Sequence, residues 1–137
     1  MKYKYKILIV DGQEDALLLL KNLLEKEDCE VEAARNAEDA FEKIKNSKYH
    51  IAFIDADVPD MGGIELLKEI KSYDALTQVI MTAGHSTMEK ILTSLEYGAS
   101  DYITKPFKSM EHVMQAVDYS MQKLERWREA VIHAVNG

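Results

Sequence analysis

Residues 51–63 read IAFIDADVPDMGG. An apolar run goes without a break to Asp55, and a second carboxylate, Asp57, follows two positions later in the loop before Pro59. A continuously apolar strand is one covered on both faces, as in a parallel sheet flanked by helices. A carboxylate at the end of such a strand is costly unless something there needs negative charge. Asp55 closes the run and so has a fixed, partly desolvated place, whereas Asp57 is freer and better hydrated.

Four more β-type runs flank this one: KILIV (6–10), EVEAA (30–34), QVIMT (78–82) and DYITK (101–105), with HIAFID (50–55) as the third. Amphipathic helical patterns alternate with them. Leu17, Leu20 and Leu24 share one face of the first helix. Ala37, Ala40, Phe41 and Ile44 mark the second, Ile64, Leu67 and Ile70 the third, and Met88, Ile91, Leu92 and Leu95 the fourth. STME (86–89) reads as a capping box with Ser86 at the N-cap and Glu89 reaching back. Gly98 suits the left-handed residue that closes that helix. Short connections and right-handed crossovers make this an α/β fold, a doubly wound (βα)5 unit.

The last helix is longer than a small sheet can cover. Met110, Met114, Val117, Met121, Leu124, Arg128, Val131 and Val135 alternate steps of four and three, a heptad-like seam broken only by Arg128. From Ser109 to Val135 it would be roughly 40 Å long. The expected organisation is a domain over 1–124 and a helical extension over 125–137 that projects from the body.

Composition narrows the function. The 137 residues carry a net charge of −7, with 47% hydrophobic and 30% charged residues. That balance argues against direct nucleic-acid binding, which needs a basic face. KYKYK (2–6) reads as the polar face of the first strand. Cys29 is the only cysteine, which rules out an internal disulfide and a thiolate metal cluster. Its expected place is half-buried. The first apolar run is four residues, short of a secretory core, and no run approaches the roughly 20 residues that cross a bilayer. A cytoplasmic protein that does not engage a membrane is expected. His50, His85, His112 and His133 show no ligand spacing and are expected at the surface or rim.

Ligands of open α/β sheets bind outside the carboxyl ends of the strands. Those ends carry Asp11, Asp55, Thr82 and Lys105, which parallel strands bring to one edge. Two carboxylates a few ångströms apart repel by about 4 kcal/mol at an effective dielectric near 20, so they want a cation between them. An all-oxygen site with few protein ligands suits Mg²⁺. The ammonium and hydroxyl suit a transferred phosphoryl group.

ILIVDG, IDADVPDMGGIELL, VIMTAG and GASDYITKPF, in this order over roughly residues 5–124, resemble the signature segments of the response-regulator receiver domain of two-component signalling, the CheY-like family. The resemblance implies a flavodoxin-like sheet of order 2-1-3-4-5 and a role for each matching residue. Asp55 would accept a phosphoryl group from a histidine kinase or phosphotransfer protein. Asp11 and Asp55 would hold Mg²⁺ with the backbone carbonyl of Asp57. Thr82 and Lys105 would contact the phosphoryl oxygens, Lys105 preceding Pro106 in a bond often cis. Tyr102 would be the switching aromatic. The α4–β5–α5 face, with Lys90 and Tyr97, would pass the signal to an effector or output domain, the chain being regulatory rather than an enzyme. The heptad seam would pair two protomers or lead to an output domain.

Gly12 departs from the pattern, since the family usually has a second acid there that binds the metal directly. Either the Asp57 side chain compensates, with Glu14 and Asp15 better suited to the first turn of a helix, or Mg²⁺ binds poorly and the chain is a pseudo-receiver that docks without phosphorylation. DADV also resembles the nucleophile motif of haloacid-dehalogenase-type phosphatases, but it follows the third strand and lacks their later acidic pair. A flavodoxin-like cofactor binder would need a phosphate-cradling loop where DGQED places acids.

Overall fold

The computed structural model describes residues 4–137. Five strands and five helices alternate: β1 (Lys6–Val10), α1 (Glu14–Lys26), β2 (Glu30–Ala34), α2 (Ala37–Asn46), β3 (Ile51–Asp55), α3 (Gly63–Tyr73), β4 (Gln78–Ala83), α4 (Met88–Glu96), β5 (Asp101–Thr104) and α5 (Met110–Asn136). The strands form one parallel sheet in the order β2-β1-β3-β4-β5. Residues 2 and 3 of the basic KYKYK segment lie outside the described residues.

Alternation along the strands sorts the core into two layers. Ile7, Ile9, Ile51, Phe53, Ile80 and Ile103 face α1 and α5, where Leu17, Leu20, Leu24, Val113, Val117 and Leu124 meet them. Leu8, Val10, Ala52, Ile54, Val79 and Met81 face α2 and α3 through Ala37, Ala40, Ile44, Leu66, Leu67 and Ile70. Both faces of β3 and β4 are buried, which explains their continuous apolar sequences. Cys29 is buried rather than half-exposed, because it closes the α1–α5 layer where β2 begins.

One expectation for α4, its cap, needs correction. The N-cap is Thr87, whose Oγ1 accepts from the Lys90 backbone N–H at 3.2 Å. Ser86 Oγ instead donates to the Tyr102 hydroxyl at 3.2 Å, so the cap lies one residue later and Glu89 plays no part in it. The apolar stripe is turned outward. Met88, Leu92 and Leu95 are 71%, 54% and 68% exposed, and only Ser94 of the helix is buried. A stripe records that a helix has an apolar face and does not say what covers it. The C-terminal end follows expectation: Gly98 has φ +93°, Gly98 N–H bonds to Leu95 O, and Ala99 N–H bonds to Ser94 O, a Schellman closure.

Helix α5 is 27 residues long and is capped by Ser109, whose side chain accepts from His112 N–H. Val117, Met121 and Leu124 are buried, whereas every residue from 125 onward is exposed. Leu124 is thus the last buried residue of the seam, and Arg128, one turn later, still stands beside His50 and Asp74 of the body.

Candidate functional site

The alternation that builds the core also assembles the site. Asp11 continues the Ile7–Ile9 side of β1 and Asp55 the Ile51–Phe53 side of β3. Thr82 pairs with Asp55 in the sheet register, and Lys105 follows Ile103 by two. All four thus come out on the α1–α5 side of the carboxyl edge. Tyr102 pairs with Met81 and lies on the opposite side of the sheet.

Asp11 and Asp55 are 4% and 7% exposed, and Thr82 is 3% exposed. Asp11 Oδ1 accepts from Gln13 N–H at 2.9 Å, and its Oδ2 accepts from Lys105 Nζ at 2.5 Å. Asp55 Oδ1 accepts from Asp57 N–H at 3.1 Å, and its Oδ2 lies 3.5 Å from Lys105 Nζ. Burial, reinforced by the charge and hydrogen bond of Asp11, raises the Asp55 pKa above the ordinary carboxylate value against the opposing pull of Asp57 N–H and Lys105. One ammonium thus faces two buried acids without fully compensating them. The Lys105–Pro106 peptide bond is cis.

Glycines decide how closely the surrounding backbone approaches. At Gly63, the first residue of α3, a Cβ would stand 2.4 Å from Asp55 O and 2.7 Å from Ala56 Cα. Only glycine lets the start of that helix press against the backbone carrying Asp55. At Gly12 a Cβ would come to 2.7 Å from Pro59 Cδ and 2.9 Å from Cγ. The pyrrolidine ring thus fills the space where the family's second acid would begin. Asp60, at φ +73°, helps to hold that loop: its carboxylate accepts from Ala37 N–H at 2.9 Å and Glu38 N–H at 3.0 Å, at the start of α2.

A cleft of about 310 Å³ opens here, lined by Gly12, Gln13, Asp55, Asp57, Pro59, Gly84 and Lys105. Asp57 stands on its wall, but its carboxylate bonds to Lys90 Nζ of α4 at 3.0 Å. Glu14 lies 3.9 Å from Arg35, whose guanidinium also donates to Gly12 O at 2.9 Å. Among the described residues no group of three or more His, Cys, Asp or Glu side chains is placed to hold a metal ion. The donor set still fits Mg²⁺, which is commonly held by one or two carboxylates with water and phosphate completing its shell. Asp11 and Asp55 supply the two.

Three partners of the site escaped the sequence reading: Lys90 on Asp57, Ser86 on Tyr102, and Arg35 on the Gly12 carbonyl. Lys90 alone left a signal. It sits in the first turn of α4, where the helix dipole disfavours a cation, so a nearby carboxylate was to be expected.

The model of the response regulator receiver domain matches residues 7–118. The chain belongs to this family. This receiver is 34% identical over 118 residues to the chemotaxis protein CheY of Bacillus subtilis, covering 85% of this chain and 98% of that protein. It is 37% identical over 106 residues to the transcriptional regulatory protein CpxR homolog of Haemophilus influenzae, covering 77% of this chain but only 46% of that one. In solved structures the receiver domain of a CheY-like protein from Methanospirillum hungatei superposes with a TM-score of 0.86 at 32% identity, over 90% of this chain and 98% of that one. NtrX of Brucella abortus gives 0.88 at 27% identity over 94% of this chain and 30% of that one. The receiver thus spans nearly all of some relatives and less than half of others. Its place is in two-component signal transduction, and its fold is the CheY-like one.

Proposed function

We propose that this receiver takes a phosphoryl group on Asp55 from a histidine kinase or a histidine phosphotransfer protein. The observation that carries this is the Asp11–Lys105–Asp55 cluster, with Thr82 beside Asp55 in the register, opening on the cleft. An Asp55 carboxylate oxygen forms the new bond to phosphorus as the bond from phosphorus to the donor imidazole nitrogen breaks, and the imidazole keeps that electron pair. Lys105 and Thr82 lie on the side where the phosphoryl oxygens would sit, offering positive charge and a donor. Asp11 and Asp55 would hold Mg²⁺, with the Asp57 carbonyl as a further ligand. Bound there, Mg²⁺ supplies charge neutralisation between carboxylate and phosphoryl group. The domain boundary falls after Leu124.

Tyr102 is tied to Ser86 ahead of α4, and α4 presents the uncovered Met88, Leu92 and Leu95. That supports the α4–β5–α5 face as the surface meeting an effector or output domain, its population shifted when Thr82 turns to the phosphoryl group. Residues 125–136 carry Trp127, Val131, Ile132 and Val135 in the open, which supports pairing of two protomers through the extension. The role is regulatory and cytoplasmic, without direct contact to nucleic acid or membrane. No helix of the described residues is long and apolar enough to cross a bilayer.

Intact-mass measurement after acetyl phosphate or a phosphoramidate, with and without Mg²⁺, tests the reading. A phosphoryl adduct is expected in the wild type and absent in Asp55→Asn. No adduct at high Mg²⁺ favours the second reading, a phosphorylation-independent docking module, which the glycine at position 12 and the diverted Asp57 support. Turnover of a phosphate ester would favour the haloacid-dehalogenase-like alternative. Analytical ultracentrifugation of the whole chain against one ending at Leu124 tests the homodimer, and identical monomers would remove it.

A further inference from the structure

Asp57, on the wall of the cleft, forms an ion pair with Lys90 that joins the loop after β3 to the first turn of α4. Lys90 is the third residue after the Thr87 cap, so its ammonium stands at the positive end of the helix dipole. The Asp57 carboxylate is what makes that position tolerable, and the hydrogen bond to it raises the Lys90 pKa above the ordinary value. Asp57 in turn lines the same cleft as Asp55 and Lys105, and its backbone N–H holds Asp55 Oδ1. Lys105 is committed to Asp11 and Asp55, and Pro59 fills the space beside Gly12. Asp57 is therefore the acid on the cleft wall whose charge is free to be reassigned.

We propose that Lys90 is a positioning residue that sets how tightly the cleft holds Mg²⁺. By engaging the Asp57 carboxylate it withholds a third negative charge that would tighten the hold of Asp11 and Asp55 on a dication where position 12 is glycine. The inference rests on the reading of this cleft as a Mg²⁺-dependent phospho-acceptor site. Ammonium and dication compete for one carboxylate, and such a coupling is reciprocal. Mg²⁺ entry therefore loosens the tie between α4 and the β3–α3 loop, on the helix that carries the uncovered Met88–Leu92–Leu95 stripe. The Lys90 and Asp57 side chains are 33% and 56% exposed. A pair this open is worth no more than an ordinary surface ion pair, which limits the effect to about fivefold in Kd.

The test is a titration of the full chain with Mg²⁺ alone, without phosphodonor, followed through the amide shifts of Gly12, Gln13 and Ala56. Lys90→Gln is expected to lower the Mg²⁺ Kd by about two- to fivefold. Lys90→Arg, which keeps charge and reach, is expected to leave it unchanged. Asp57→Asn should weaken binding, and in the D57N background K90Q should have no further effect. Equal Kd values for wild type and K90Q overturn the inference. So does a K90Q gain that persists undiminished in the D57N background, since Lys90 would then act only as a general positive charge. No titration in any variant overturns the inference along with the metal requirement. Phosphorylation of Asp55 is read separately by intact mass, so it can fail while the K90Q effect stands.

Discussion

Lys105 and Asp11 stand 94 positions apart in the chain and 2.5 Å apart at the site, with the Asp55 carboxylate 3.5 Å from the same ammonium. Removing that cation leaves two buried acids facing each other. Breaking a buried pair from one side costs about 3–5 kcal/mol. Lys105→Met is expected near the lower end, about 3 kcal/mol, read by urea denaturation at neutral pH. Added Mg²⁺ should restore more stability to this variant than to the wild type, because it supplies the missing charge. A loss below about 1 kcal/mol would show that solvent already screens the acids.

Asp55 carries a raised pKa in the folded state, chiefly through burial. The folded state therefore holds the proton more tightly than the unfolded chain does, and stability falls as pH rises from the ordinary carboxylate pKa through the raised one. Asp55→Asn removes that penalty. The variant should melt a few degrees above the wild type at pH 7, with the difference vanishing below about pH 4. A gap that persists at low pH would assign the effect to packing instead.

Restoring the family's second acid is not a simple gain. Gly12→Asp places a Cβ 2.7 Å from Pro59 Cδ, an overlap that costs about 1–3 kcal/mol. Gly12→Asp/Pro59→Ala should regain most of this loss and bind Mg²⁺ more tightly than the wild type. Both are readable in thermal melts across a Mg²⁺ series. Equal stability of Gly12→Asp and wild type would show that the Pro59 loop yields freely.

The cap of α4 discriminates two neighbouring hydroxyls. Thr87→Ala should cost about 1 kcal/mol through the lost bond to Lys90 N–H. Ser86→Ala should cost less than about half of that, since it loses only the contact with the Tyr102 hydroxyl. Denaturant midpoints measured side by side decide, and the reverse order would restore Ser86 as the cap.

Truncation after Leu124 removes no buried side chain. The melting temperature should stay within about 2 °C of the full chain's, given the few degrees that 1 kcal/mol is worth at this size. A larger fall would mean that the extension supports the body in solution.

Much of the fold was legible because burial on both faces leaves an unbroken apolar run, and IAFID and QVIMT have no other economical reading. Asp11, Asp55, Thr82 and Lys105 were legible for the same reason, since parallel strands bring their carboxyl ends to one edge. What lay hidden was set by tertiary register. Met88, Leu92 and Leu95 form a helical stripe whether it meets a core or solvent, and Ser86 and Thr87 are equally good caps until the helix starts. The partner of Asp57 depends on where α4 rests, and no spacing between residues 57 and 90 encodes that. The Pro59 ring against Gly12 is likewise invisible, because it follows from the path of the loop that Asp60 fixes.

The strands point their carboxyl ends at the cleft, and α5 runs back against them, so that Leu124 and Arg128 reach His50 and Thr77 at the opposite edge of the sheet and the exposed residues 125–136 start from there. Twelve helical residues make a rod of about 18 Å, continuous with the buried half of α5. Such a rod is a lever: a tilt of about 10° at its root would swing the tip by roughly 3 Å. A motion too small to notice within the core would thus be delivered, magnified, to whatever the far end touches.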